Sequence, residues 1–345
     1  LGIGVGISGM GRIGRLLIRI IYSKQQSDYE LKVINSIYPV ETIAHLLKYD
    51  TVHGRWDADI QVRDGNLEIN GQVIQITYER EPARIAWSAF GVRFVVDATG
   101  QFNDRDGASK HFTGGASHVL ITAPGKRMDL TIVAGVNDHQ FDSHKHRLVS
   151  AASCTTNCLA PILYVLDQAF RVQSGWMTTV HSVTSDQNHL DNPHQDLRRA
   201  RSCMDSIVPT TTGVGKALVD VLPHLANHIQ GISLRVPTQD VSLIDLTVKV
   251  AKSAALEQVK EAFKQAAQGR LSAYLGYSEE LLVSSDYIGC SKSAVIDGTS
   301  VMVMDNQIKV LAWYDNEWAY ASRVVELVGL MTKEMNQVWM TQQSV

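Results

Sequence analysis

Cys154 and His181 are the residues whose types and spacing carry the most chemistry. The segment Ser153-Cys154-Thr155-Thr156-Asn157-Cys158 follows an extended run and opens a helical one, Leu159–Phe170. A thiol at the first turn of a helix has its thiolate stabilised, so a lowered pKa is expected at Cys154. Cys158 lies one turn deeper and reads as a small buried hydrophobe. The CxxxC spacing fits neither a zinc pair nor a thioredoxin pair, and no second cysteine pair completes a site, so no metal is expected. His181 closes the strand-like run Met177–Val180, 27 residues after Cys154. Helix out and strand back would return the imidazole to the thiol and make an activated Cys–His pair. Taken alone, any one of the twelve histidines is more often a structural residue.

A second signal stands at the start of the chain. Ile3-Gly4-Val5-Gly6-Ile7 reads as a buried strand, Gly9-x-Gly11-x-x-Gly14 as a tight turn, and Leu16–Tyr22 as a helix, with a further strand at Leu31–Asn35. Strand, glycine turn, helix and strand make a βαβ unit, and in that setting the glycines are a dinucleotide fingerprint. They let a pyrophosphate approach the helix N-terminus, where N–H groups and the dipole favour an anion. An NAD enzyme usually carries an acidic residue at the end of the second strand to hold the adenosine ribose. Here that place reads Asn35-Ser36. Without a carboxylate there, and with a hydroxyl able to donate to a 2′-phosphate, Ser36 favours NADP. The other reading is a space-filling serine with NAD held by different contacts.

These motifs need a scaffold of two domains, and the length of 345 residues suits that. Apolar residues make up 45% and charged residues 19%, which excludes disorder and supplies two cores. A formal net charge of −3 gives no electrostatic call for nucleic acid or an anionic membrane. Four cysteines form no disulfide framework, and a reducing compartment is expected. The apolar opening at Leu1–Ile7 is too short for a signal peptide and no window of 18 apolar residues occurs, so a soluble, cytoplasmic protein is expected. Hairpins are expected around Asp64-Gly65 and Asn70-Gly71, and buried parallel strands running into glycine-bearing loops at Phe94–Gly100 and Val119–Gly125. Beyond about residue 155 the strands alternate apolar with polar (Met177–Val183, Gly231–Leu234, Val241–Val250), as in an antiparallel sheet covered on one face. Leu256–Ala267 and Tyr320–Met335 have helical periodicity. The long polar segment from about Ser185 to Pro209 carries Arg198, Arg199 and Arg201, and loops of that length are usually functional.

Thr184, Arg199, Thr210-Thr211-Thr212-Gly213 and Arg235 are hydroxyl and guanidinium groups of the kind that bind phosphate oxygens. Read singly, each is equally a surface loop or an ion-pair residue. Together with the cysteine and glycine motifs they resemble the phosphorylating glyceraldehyde-3-phosphate dehydrogenases, over about residues 3 to 330. The stretches that carry the resemblance include Gly9–Arg15, Ala44–Asp50, Ser153–Pro161, Thr178–His181, Asp196–Arg201, Pro209–Gly213, Arg235–Thr238 and Trp313–Trp318.

The resemblance implies an α/β chain. A Rossmann-type dinucleotide-binding domain would span 1–153, with the C-terminal helix 320–345 packing back on it. An α+β catalytic domain on a mixed, largely antiparallel sheet would span 154–319. It implies a homotetramer acting on a triose phosphate and inorganic phosphate. By match to the family, Cys154 is the nucleophile and His181 its activating partner and general acid/base. Thr184 and Arg235 would hold the substrate's phosphate; Ser153, Thr155, Thr212, Gly213 and Arg199 the attacking phosphate. Asn316 would orient the nicotinamide, Arg12 and Ile13 would meet the pyrophosphate, and Arg80, Thr99 and Thr122 would line the groove.

The chain departs from the family pattern in ways that bear on the cofactor. The family's usual Asn-Asp is Asn35-Ser36 here, and the usual apolar residue before Pro193 is Asn192, on the loop that in this family reaches a neighbouring subunit's adenosine ribose. Both changes add hydrogen-bonding capacity where a 2′-phosphate would sit, so the chain resembles the bacterial NADP-preferring, gluconeogenic paralogues, with NAD still usable. Ala319 and Ser8 also depart from the pattern, away from the reacting groups. A sister activity, erythrose-4-phosphate dehydrogenase, is the nearest alternative, but its relatives alter the threonine-rich segment that this chain keeps. A non-catalytic binding paralogue is disfavoured because Cys154 and His181 are both present.

Overall fold

The computed structural model describes residues 2–24 and 28–343. Leu1, residues 25–27 and the last two positions of the expected C-terminal helix lie outside the described residues. The chain divides into two compact units. One comprises the residues up to Ile132, Asp138–Ser153 and the chain from Ala321 on; the other comprises Val133–Asn137 and Cys154–Tyr320.

The first unit is built on nine strands: β1 (Ile3–Ser8), β2 (Tyr29–Asn35), β3 (Ile60–Arg63), β4 (Asn66–Ile69), β5 (Gln72–Thr77), β6 (Val92–Asp97), β7 (His118–Ile121), β8 (Leu130–Thr131) and β9 (Leu148–Ser150). Their order is β3-β4-β5-β2-β1-β6-β7-β9-β8. From β5 to β8 every pairing is parallel, and β3-β4-β5 form an antiparallel edge. Strands buried on both faces need near-continuous apolar runs; β1 (IGVGIS) supplies one, and in β6 (VRFVVD) the run Phe94–Val96 follows the exposed Arg93. A core of Val33, Trp87, Val92, Val95, Val119, Ile121 and Leu148 closes around them.

Helices α1 (Arg12–Ser23), α2 (Val40–Lys48) and the short α3 (Arg105–Ala108) belong to this unit. In α1 the residues Leu16, Leu17, Ile18 and Ile20 are buried together with Arg19. The Arg19 guanidinium is satisfied by the carbonyls of Leu47 at 3.0 Å and Gly54 at 3.0 Å, which a buried charge requires. The chain leaves β1 for β2 on one side and later enters β6 on the other. Ligands bind open α/β sheets at such a reversal.

The second unit holds eight strands: β10 (Val172–His181), β11 (Val208–Thr211), β12 (Ile229–Arg235), β13 (Ser242–Val250), β14 (Leu275–Ser278), β15 (Ala294–Asp297), β16 (Met302–Met304) and β17 (Gln307–Tyr314). The order is β11-β12-β10-β13-β17-β15-β14, with β16 beside β17. Only β10–β12 and β14–β15 are parallel among the described pairings, so the sheet is mixed and largely antiparallel, as the alternating strands predict. Helices α4 (Cys154–Phe170), α5 (Val214–Val221) and α6 (Leu256–Gln268) belong here, and α4 packs on β10, β13 and β15.

The last helix, α7 (Trp318–Gln343), begins in the second unit and continues in the first. Within the first unit Glu334 accepts from the Ser143 N–H at 2.7 Å, and Glu326 pairs with Lys24 at 3.5 Å. None of the helices among the described residues is long and apolar enough to cross a membrane.

Candidate active site

β10 ends at His181, β12 ends at Arg235 in register beside it, and α4 begins at Cys154. Two adjacent strand ends and a helix start thus bring three sequence-distant side chains together. Cys154 Sγ lies 3.5 Å from His181 Nε2. His181 is buried and Cys154 half-buried. Thr155 Oγ1 is 4.0 Å from the sulfur and 3.1 Å from the Tyr314 hydroxyl, which also meets Thr179 Oγ1 at 2.8 Å.

The electrostatics differ from the expectation of a simply lowered thiol pKa. Burial pushes the Cys154 thiol up, and Arg235 and hydrogen bonds from Thr155 only partly oppose it. Burial, with the charge of Arg235, also drives His181 down to about 3. Each group alone therefore favours its neutral form. The thiolate–imidazolium form gains their mutual attraction, about 5 kcal/mol at this separation for an effective dielectric of about 20. The proton belongs to the pair, and its titration is a property of both residues. The helix start does not by itself ionise the sulfur.

Arg235 reaches His181 Nδ1 at 2.6 Å and the Ser182 carbonyl at 3.2 Å, while its Nε is buried without a hydrogen-bond partner. Arg199 donates to Thr210 Oγ1 at 3.0 Å and to Asp186, and lies 3.5 Å from Asp196. An anion arriving at Arg199 would compete with Asp186 for the guanidinium. Thr184 is half-buried just past His181, Thr212 is half-buried and Gly213 caps α5. Ser153 immediately precedes the cysteine. Asn316 Oδ1 accepts from Ser182 Oγ at 2.8 Å and Ser242 Oγ at 2.7 Å, so its amide is fixed with Nδ2 as the remaining donor.

In the first unit a groove of about 480 Å³ is lined by Gly9, Gly11, Ser36, Arg80 and Thr99, with Tyr38, Glu79, Ile85 and Phe102. The glycines fit a dinucleotide. Gly9 sits at φ +99°, and a Cβ there would lie 2.6 Å from the Ala98 carbonyl carbon; a Cβ at Gly14 would lie 2.0 Å from the Gly9 oxygen. Gly11 caps α1 with no side-chain bond and no acidic residue in the first turn, which leaves that helix end open to an anion. Five of the residues expected to bind cofactor therefore share one groove.

Others stand apart from it. The Arg12 guanidinium is held bidentately by Asp50 at 2.9 and 3.1 Å, so only its backbone faces the turn's task. Ile13 lies beside it in the first turn of α1, and Thr122 follows β7, its N–H on the Asp97 carbonyl. Asn192 is exposed on the long segment of the second unit, its N–H on the Ala200 carbonyl.

Several residues escaped the sequence reading. Asp97 ends β6, and its carboxylate takes the Thr99 N–H at 2.9 Å, the Thr99 hydroxyl at 2.6 Å and His111 Nε2 at 3.0 Å. Trp87 Nε1 donates to His111 Nδ1 at 3.1 Å, which puts the imidazole proton on the side facing Asp97. The signal was present: a carboxylate terminating an apolar strand needs partners. Glu79 was also missed; it brings a carboxylate to the groove that holds Ser36.

Comparison with known proteins places both parts of the chain in one family. The glyceraldehyde 3-phosphate dehydrogenase NAD binding domain matches residues 3–105, and the C-terminal domain of the same family matches residues 153–316. Glyceraldehyde-3-phosphate dehydrogenase 2 of Bacillus subtilis is 51% identical over 334 residues, covering 96% of this chain and 97% of that protein. Glyceraldehyde-3-phosphate dehydrogenase 1 of Bacillus cereus is 49% identical and glyceraldehyde-3-phosphate dehydrogenase of Geobacillus stearothermophilus 48% identical, each over 96% of this chain and 98% of the relative. With both domain matches and near full-length identity of this order, the chain belongs to the glyceraldehyde 3-phosphate dehydrogenase family.

Proposed function

We propose that the chain is a phosphorylating glyceraldehyde-3-phosphate dehydrogenase. It converts glyceraldehyde 3-phosphate, inorganic phosphate and NAD or NADP to 1,3-bisphosphoglycerate and the reduced dinucleotide, reversibly and with NADP favoured. The observation that carries this reading is the 3.5 Å approach of Cys154 Sγ to His181 Nε2 beside Arg235.

The chemistry follows from those groups. His181 takes the thiol proton, the sulfur adds to the aldehyde carbon, and the imidazolium returns that proton to the aldehyde oxygen, giving a hemithioacetal with His181 neutral again. Its hydroxyl passes a proton to His181 as the carbon is oxidised, leaving a thioester on Sγ. A bound nicotinamide dinucleotide supplies the acceptor for the hydride. Inorganic phosphate then attacks the thioester carbon, the C–S bond breaks, and the acyl phosphate leaves with the thiolate restored. Splitting one hard step into two is what the covalent intermediate achieves.

Thr184 and Arg235 hold the substrate's phosphate, with the buried, unpartnered Arg235 Nε as a ready donor. Ser153, Thr155, Thr212, Gly213 and Arg199 receive the attacking phosphate. Gly9, Gly11, Arg12, Ile13, Ser36, Arg80, Thr99 and Thr122 hold the dinucleotide, Asn316 presents Nδ2 to its carboxamide, and Asn192 serves the adenosine end of a neighbouring subunit. Two features support NADP: no carboxylate at Ser36, and an exposed guanidinium at Arg80 on the same groove. The same reading carries a homotetramer in the cytoplasm, which sedimentation of the purified protein and cell fractionation test.

Rates with NAD and NADP side by side, with glyceraldehyde 3-phosphate and phosphate, test the activity. Reduction of dinucleotide that vanishes in Cys154→Ser supports the reading. No reduction with either dinucleotide overturns it.

A further inference from the structure

One wall of the first unit's groove hangs on a single carboxylate. Asp97 ends β6, and its Oδ1 accepts both the Thr99 N–H at 2.9 Å and the Thr99 hydroxyl at 2.6 Å. Thr99 Oγ1 in turn accepts the Gln101 N–H at 3.1 Å. Ala98, Thr99, Gln101 and Phe102 all line the groove, together with Gly9, Gly11, Ser36 and Arg80. The wall has no slack against the glycine turn, since a Cβ at Gly9 would lie 2.6 Å from both the Ala98 carbonyl carbon and the Thr99 nitrogen.

Asp97 is buried and has a second oxygen to satisfy. Oδ2 lies 3.0 Å from His111 Nε2, its one partner among the described residues. His111 and Trp87 are fully buried, and a Cβ at Gly6 would lie 2.5 Å from the Trp87 ring. Trp87 Nε1 donates to His111 Nδ1 at 3.1 Å. An indole N–H only donates, so Nδ1 is bare and the ring's proton sits on Nε2, facing Asp97. Trp87, His111 and Asp97 do not line the groove themselves. A buried carboxylate oxygen stripped of its donor is costly. Without the Nε2–H, Asp97 would turn toward other donors and loosen its hold on Thr99.

We propose that His111, oriented by Trp87, is a positioning residue for the dinucleotide: through Asp97 it holds Thr99 and the wall that follows in the geometry that receives the adenosine end. This rests on the dinucleotide role proposed above for the groove. The relay acts on binding of the dinucleotide and leaves the thiol chemistry alone.

The test compares His111→Leu, which has no donor, with His111→Gln, whose amide can still donate to Asp97. Steady-state rates are measured with glyceraldehyde 3-phosphate, phosphate and whichever dinucleotide wild type reduces faster. KM for the dinucleotide should rise about tenfold in the leucine variant, the worth of one hydrogen bond to a charged group, and less than about threefold in the glutamine variant. Turnover at saturating dinucleotide should hold in both. Kd for ADP-ribose, read by calorimetry, should rise in step with KM. Iodoacetamide labelling of Cys154, which belongs to the second unit, should keep its wild-type rate. An unchanged KM in the leucine variant, equal rises in both variants, or a rise accompanied by slower labelling of Cys154 overturns the relay. If the leucine variant does not fold, Asp97→Asn decides: its amide sets one donor against another at His111 or at Thr99, so KM should rise, and an unchanged KM overturns the relay. Wild type that reduces no dinucleotide sinks the dehydrogenase reading, whereas active wild type with unmoved variants sinks the relay alone.

Discussion

The Tyr314 hydroxyl meets the Thr155 hydroxyl at 3.1 Å, so the end of β17 braces the residue after Cys154. Both side chains are buried, and Thr179 completes the chain of hydroxyls from β10. Replacing Tyr314 by Phe leaves two buried hydroxyls to find new partners. A loss of about 1–3 kcal/mol in unfolding free energy is expected, with a lower kcat and little change in KM. Urea unfolding and steady-state kinetics read both.

Cofactor choice should turn on charge in the groove of the first unit. Ser36→Asp should lower kcat/KM for NADP by about tenfold or more, since like charges a few ångströms apart cost over 1 kcal/mol, and should affect NAD less. Glu79→Gln should move the ratio the other way. An unchanged ratio in both variants would remove the charge argument.

Acid stability should depend on Asp50. Burial pushes its carboxyl up, but hydrogen bonds from Arg12 and from the His53 and Val52 amides outweigh this and hold it well below the carboxylate range. A depressed folded pKa contributes stability above the unfolded value of about 3.9, and that contribution is lost as pH falls toward the folded one. Asp50→Asn should therefore lower Tm at pH 7, and the gap from wild type should narrow between about pH 5 and pH 2. Thermal melts across that range check it.

Thiol reactivity should single out Cys154. Cys290 is similarly half-buried, whereas Cys158 and Cys203 are buried. Only Cys154 of the two half-buried thiols has an imidazole within 3.5 Å. Iodoacetamide should modify Cys154 first in wild type, and His181→Asn should erase its lead over Cys290. Peptide mapping after partial labelling shows which thiol reacts.

Much of this architecture is legible in the residues. β1, the glycine turn and α1 are written in one apolar run, one spacing and one periodicity. The Asp64-Gly65 and Asn70-Gly71 turns do join β3, β4 and β5. The meeting of Cys154 with His181 follows from helix out and strand back. What stayed hidden depends on contacts between distant segments or on backbone strain. No local pattern announces that Ala152 and Val241 take left-handed backbone, at φ 56° and 64°, a cost of about 1–3 kcal/mol each just before Cys154 and at the start of β13. Nor does local sequence reveal that Asp186 engages Arg199, that Ser182 and Ser242 fix Asn316, or that burial raises the thiol. Those facts belong to the packed state.

The central claim is an acyl group carried on one sulfur. Intact-mass and peptide spectrometry of the enzyme mixed with glyceraldehyde 3-phosphate and oxidised dinucleotide, with inorganic phosphate withheld, tests it most directly. The account predicts one phosphoglyceroyl group per chain, located on Cys154 and discharged when phosphate is added. An unmodified Cys154 in an enzyme that still reduces dinucleotide, or an adduct on another residue, would contradict it.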